Sequence, residues 1–122
     1  MLLSASDDLC WRMQKPLRVL QAARELRDEV NRFLDHPRSQ PIYADQLRRS
    51  AQSIPANIRE AFGRKRGKDR QKFLSYAVAS AEETDEHLHG NWKANRLHEK
   101  RFWLYHNRIA VIVKMLNPLL GD

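Results

Sequence analysis

Four stretches of this chain repeat apolar residues at intervals alternating between three and four, and that spacing leaves few folds open. A helix turns once every ~3.6 residues, so such a repeat collects its apolar side chains on one stripe, whereas a half-buried strand needs alternation by two. The stripes are Val19, Ala23, Leu26, Val30 and Phe33; Leu47, Ala51, Ile54, Ile58 and Ala61, widened by Phe62; Leu74, Ala77, Ala81, Thr84 and Leu88; and Phe102, Tyr105, Ile109, Ile112, Leu116 and Leu119. No comparable alternating pattern occurs. Four amphipathic helices joined by short links can bury such stripes together only as an all-α bundle, expected over residues 15–122.

The punctuation fits. Pro16 suits the first turn of helix one, where a missing N–H costs nothing. His36-Pro-Arg-Ser-Gln-Pro41 makes the first loop, Gly63 and Gly67 bracket the second, and Asn95-Arg96-Leu97 makes the third. Gly63 is expected to take the left-handed conformation that stops a helix. Residues 1–14 form a separate arm, in which Leu9 and Met13 are four apart and suggest a short helix. In Ala77-Val-Ala-Ser-Ala81 the small side chains let a neighbouring helix come close. Pro55 interrupts the second stripe without changing its register. Its absent N–H leaves the carbonyl of Ala51 without a helical partner, which costs ~3 kcal/mol or more and predicts one kinked helix. Asn57 and Glu60 are then polar residues near the interior.

The chain has 122 residues, enough for one domain with a core, and 42% hydrophobic with 30% charged residues describes a globular protein, not a disordered one. No run approaches the ~18 apolar residues of a membrane span. The Met-Leu-Leu-Ser-Ala-Ser start, followed by Asp7-Asp8, is a poor signal peptide, and the single Cys10 beside Trp11 is expected to be a packed thiol. Together these place the protein in the cytoplasm. The formal charge of +7 favours an acidic partner, nucleic acid first.

Catalytic and metal chemistry find little support. His87 and His89 are two apart and point in different directions on a helix, and no Cys or further His pair completes a zinc site. Glu82-Glu83-Thr-Asp85-Glu86 lacks the paired Glu-x-x-His of a di-iron bundle, so these carboxylates are expected to pair with Arg48 and Arg59 of helix two. Gly63-Arg-Lys-Arg-Gly67 is not followed by the Lys-Ser/Thr of a phosphate-binding loop. The expectation is no catalytic residue, no metal and no cofactor.

The region from Arg59 to Lys72 carries Arg59, Arg64, Lys65, Arg66, Lys68, Arg70 and Lys72 against Glu60 and Asp69. Cations at the end of helix two suit the negative pole of its dipole; Lys68, Arg70 and Lys72 fall at the positive start of helix three, where they are disfavoured. A phosphate backbone would relieve that crowding. Arg64, Lys65, Arg66, Lys68, Arg70 and Lys72 are therefore the candidate nucleic-acid-binding residues, reading RNA or DNA backbone with little sequence preference.

Gln46-Leu-Arg-Arg-Ser-Ala51, Ser53-Ile-Pro-Ala-Asn-Ile-Arg-Glu60 and Gly63-Arg64 also resemble the 23S ribosomal-RNA intervening-sequence protein family. The likeness continues through Phe73, Leu74, Ala77, Ser80, Glu83 and Leu88 to Lys114-Met-Leu-Asn117, with Arg48, Ser53, Pro55, Asn57, Glu60, Gly63, Ser80 and Glu83 as its structural motif. Ala61 and Ala79 stand where the family usually has Gly. The resemblance implies an up-down-up-down antiparallel four-helix bundle. By kinship with the accessory protein of diversity-generating retroelements it also implies a homo-oligomeric, pentameric basic scaffold that binds nucleic acid. Trp103 and Val111, apolar but off the fourth stripe, are independent hints of assembly. The alternative is a protein–protein adaptor whose charge serves solubility.

Overall fold

The structure is a computed structural model that describes residues 5–121, with side chains described from Pro16 onward. It contains four helices, α1 (Ala5–Asp35), α2 (Ala44–Phe62), α3 (Lys68–Lys93) and α4 (Glu99–Leu120), and no strand among the described residues. Every residue of the four stripes is buried except Phe62 and Leu119, which are half-buried at the ends of α2 and α4. Fully enclosed leucines such as Leu47, Leu74 and Leu88 each contribute roughly 1.5–3 kcal/mol of burial.

Cross-links between helices give the directions. Arg48, early in α2, reaches Asn31 and Asp35 at the end of α1. Along the α2–α3 seam Ser53 meets Ser80 and Ser50 meets Thr84, so numbering rises on one helix as it falls on the other. His106 of α4 bonds Asp85 of α3 at 2.7 Å, and Phe102 stacks on Trp92. Tyr105 Oη donates to the carbonyl of Glu29 at 3.4 Å, and Arg108 pairs with the Glu29 carboxylate, closing α4 onto α1. The bundle is up-down-up-down and antiparallel.

One end gathers the first and third connections. Asn91, fully buried, donates from Nδ2 to the carbonyls of Ile42 (3.0 Å) and His87 (2.9 Å) and accepts the N–H of Ile42 at 2.9 Å. Its own carbonyl accepts Arg96 N–H and Leu97 N–H, and Arg96 reaches Gln40 at 2.7 Å. Asn95 makes the turn with φ of 60°, a left-handed conformation its short side chain tolerates. The α2–α3 turn therefore lies alone at the opposite end.

Four sequence expectations change. Pro16 is inside α1, not in its first turn, because helix continues on its N-terminal side back to Ala5; a proline deletes one ladder bond without preventing helix on both flanks. Residues 5–14, expected as an arm, are thus helical and continuous with α1, while residues 1–4 and the side chains of Leu9, Cys10, Trp11 and Met13 lie outside the described residues. Gly63 is right-handed (φ −81°, ψ −10°); the positive φ falls four residues later, where Gly67, at φ 124°, holds the position a side chain would strain. The acids of α3 do not pair with Arg48 or Arg59. Arg48 faces α1, and Asp85 and Glu83 find His106 and His87 instead. Helix α2 does run unbroken through buried Pro55, as one helix.

Candidate nucleic-acid interface

The basic turn is built by capping α2. Gly63 N–H donates to the carbonyls of Arg59 and Glu60, and Arg64 N–H to that of Ala61, which tightens the last turn. Arg70, from the first turns of α3, then reaches back: Nε donates to the carbonyl of Ala61 at 3.2 Å and Nη2 to that of Arg64 at 2.8 Å. Its guanidinium also lies 5.4 Å from the centre of the Phe62 ring. A cation that looked misplaced at the positive end of α3 is thus neutralising the negative end of α2.

Arg64 is held as firmly. Its Nη2 and Nε contact Glu60 Oε1 at 2.7 and 3.2 Å, Asp69 is 3.8 Å away, and the guanidinium lies over Phe73 at 5.1 Å. Glu60, expected near the interior, is on the surface and serves this ion pair. Lys72 Nζ also lies over the Phe73 ring, 5.1 Å from its centre. Lys65, Arg66 and Lys68 are exposed and make no hydrogen bond or ion pair among the described residues. Gly67 provides no side-chain cap for α3, so the backbone N–H groups of its first turn have no side-chain partner among the described residues. Six sequence-selected cations are therefore gathered at one pole, two bracing the turn and three projecting from it, with Lys72 over the Phe73 ring.

Other motif residues build the scaffold behind the turn. Ser53 Oγ accepts from Asn57 Nδ2 and from Ser80 Oγ, both at 2.8 Å, and Asn57 Nδ2 lies 2.9 Å from the Ser53 carbonyl. Thr84 Oγ1 lies 2.9 Å from Ser50 Oγ and 2.7 Å from the Ser80 carbonyl. Such hydroxyl pairs need close helix axes, which the buried Ala51, Ala77 and Ala81 permit. Glu83 is exposed beside His87 at 3.4 Å. Arg48 clamps the Asp35 carboxylate at 2.6 Å and lowers its pKa, chiefly through the hydrogen bond. A depressed carboxylate stabilises the fold in full above roughly pH 4 and loses that contribution as the pH falls through its lowered folded value. Arg48→Gln should therefore leave acid unfolding shallower over that window, read by circular dichroism against pH.

The model of the 23S rRNA-intervening sequence protein family matches residues 15–118. The chain belongs to that family. A protein with unknown function from the S23 ribosomal protein family of Bacteroides thetaiotaomicron VPI-5482 has the same fold, with a TM-score of 0.81 at 24% identity, covering 88% of this chain and 99% of that one. No curated protein matches the chain. Within this 23S rRNA-intervening sequence protein, the two alanines at which the resemblance led to an expectation of glycine are accommodated differently. Ala79 is exposed, whereas Ala61 is fully buried and its carbonyl receives Arg70. Arg70→Gln is expected to destabilise the bundle by about 1–2 kcal/mol through its lost caps, measured by urea unfolding; an unchanged midpoint would contradict the bracing role.

Among the described residues, no group of three or more His, Cys, Asp or Glu side chains is placed to hold a metal, and no helix is long and apolar enough to cross a membrane. Sequence reasoning passed over Asn91, although it continues the third stripe three residues after Leu88 and a polar residue at a stripe position is itself a signal. It also passed over the cluster of Trp92, Phe102, Trp103 and His106 at the α3–α4 end, since ring contacts across helices depend on axial register.

Proposed function

We propose that this chain is a non-enzymatic, oligomeric basic scaffold that binds the RNA or DNA backbone through the α2–α3 turn, in the cytoplasm and without metal or cofactor. The observation that carries the reading is the trio Lys65, Arg66 and Lys68, exposed and unpaired among the described residues on a turn braced by Arg64 and Arg70. Cations in such a setting gain by replacing condensed counterions on a phosphate backbone, and they read no sequence in doing so. Purified protein should carry nucleic acid, visible in its ultraviolet absorbance ratio, and should bind single-stranded RNA at low salt. Absence of binding to RNA and DNA at low salt would sink the proposal.

Assembly is part of the same reading, with five copies implied by the resemblance. Its support is apolar surface: Val111 is 53% exposed, Leu104 46% and Trp103 45%. Leu104 and Val111 line a cleft of about 360 Å³ between α1 and α4, with Ala22, Glu25, Asn107 and Arg108. The same surface favours a second reading, an adaptor for another protein. Val111→Glu should lower the mass measured by light scattering if the face joins copies. A protein partner captured despite nuclease treatment, with the mass unchanged, favours the adaptor.

A further inference from the structure

A second concentration of positive charge lies on the bundle wall, where α1 meets α2. Arg24 and Arg27, three apart on α1, and Arg59 of α2 line one cleft with Gln52, Pro55 and Ala56. On α2 the positions 52, 55, 56 and 59 share a face by helical spacing, so the cleft follows from the register of two helices and not from a loop. Pro55 is buried and forms its floor, while Gln52, Ala56, Arg24 and Arg59 are exposed at its rim.

Its chemistry is one-sided. Arg27 Nε contacts Asp28 Oδ1 at 3.0 Å, and its side chain remains 30% exposed. Arg24 and Arg59 make no side-chain hydrogen bond or ion pair among the described residues. Three arginines thus line one cleft, and of the three only Arg27 has a carboxylate partner among the described residues. A solvated arginine face covering apolar stems would not require them to converge on a hollow. The cleft holds about 90 Å³. That leaves room for a small oxyanion among the three side chains. Guanidinium forks match the oxygens of a phosphoryl group better than any other common anion apart from carboxylate.

The cleft also points toward the basic turn. Arg59 lies in the last turn of α2, three residues before the helix ends at Phe62, about 4.5 Å along its axis from the start of the turn. That is on the order of one 3.4 Å nucleotide rise of a strand. We propose that the α1–α2 cleft of Arg24, Arg27 and Arg59 is a second phosphate subsite, taking one phosphodiester of a strand whose neighbouring phosphates lie on the α2–α3 turn. The assignment of a strand as the source rests on the nucleic-acid reading above; the affinity of the cleft for a phosphoryl group does not.

Two measurements test it on the full chain. In isotope-labelled protein, inorganic phosphate added at constant ionic strength against chloride should move the arginine Nε–H resonances of Arg24, Arg27 and Arg59 saturably, and leave that of Arg96 in place. No movement at the three overturns the subsite. In the second, binding of a short single-stranded RNA is followed across salt concentrations for Arg24→Gln/Arg59→Gln. Both side chains are exposed, so folding should be retained, and Arg24→Lys/Arg59→Lys keeps the charge as a control. The Gln pair should flatten the slope of log affinity against log salt by about 0.7, for the one phosphate the cleft holds, and the Lys pair should not. If the Gln pair leaves the slope unchanged while neutralising Lys65, Arg66 and Lys68 flattens it, the strand does not reach the cleft and the proposal fails while the turn survives. If phosphate moves the resonances but neither variant changes the slope, free phosphate is the ligand, and the strand assignment fails together with the nucleic-acid reading.

Discussion

Replacing Lys65, Arg66 and Lys68 together with glutamine is expected to weaken single-stranded RNA binding for all sequences alike and to flatten its salt dependence. Each phosphate contact to a single strand contributes a slope of about 0.7 in log affinity against log salt. Three lost contacts remove about 2 from the slope, so a fourfold rise in salt narrows the gap between parent and variant about 20-fold. The three side chains are exposed and hold nothing else among the described residues, so the urea midpoint should not move. Fluorescence anisotropy at several salt concentrations reads the effect. An affinity loss confined to one RNA sequence, or a slope that stays the same, contradicts backbone contact at the turn. Arg70 gives the opposite pattern, because its guanidinium caps two carbonyls and its loss is read first in stability.

The second large effect lies at the other pole. Asn91→Leu keeps a side chain of similar bulk in a fully buried position but strands the N–H and C=O of Ile42 and removes a bond to the His87 carbonyl. Half-buried backbone groups left without partners cost about 1–3 kcal/mol each, so a net loss of about 2–3 kcal/mol is expected after the gain from burying a leucine. For a domain of this size that is on the order of 10 °C in Tm. Thermal unfolding by circular dichroism measures it. A loss below about 0.5 kcal/mol, within the range of ordinary surface substitutions, would show that Asn91 does not anchor the first loop.

The bundle was legible because burial depends on periodicity. Val19 to Phe33 and Leu47 to Ala61 are enclosed in the order their spacing implies, and the three connections fall where Pro, Gly and Asn punctuate the chain. The breaks around Pro16 and Gly63 were not legible. A proline forbids only one hydrogen bond, and a glycine permits a left-handed turn without requiring it; at Gly63 and Gly67 the choice fell on the second. The basic turn was visible as composition, but its division of labour was not. Arg70 and Lys68 look alike in sequence, and only the distance from Arg70 to the end of α2 separates a cap from a free cation. The Arg24, Arg27 and Arg59 cleft was invisible for a related reason, since residues thirty or so apart share a wall only after the axial register of two helices is known.

The internal bracing of the α2–α3 turn bears on how fast anything can land on it. With Arg70 fastened to Ala61 and Arg64, and Arg64 fastened to Glu60, the loop is ordered by folding and not by its ligand. A partner then meets a preorganised surface, and no segment must freeze during encounter. If nucleic acid lands at this pole as proposed, its association would be governed by diffusion and long-range steering, with rates that fall as ionic strength rises. Releasing the brace with Arg70→Gln would transfer the cost of ordering to the encounter complex, and dissociation would quicken while the charge on the three projecting cations stayed the same.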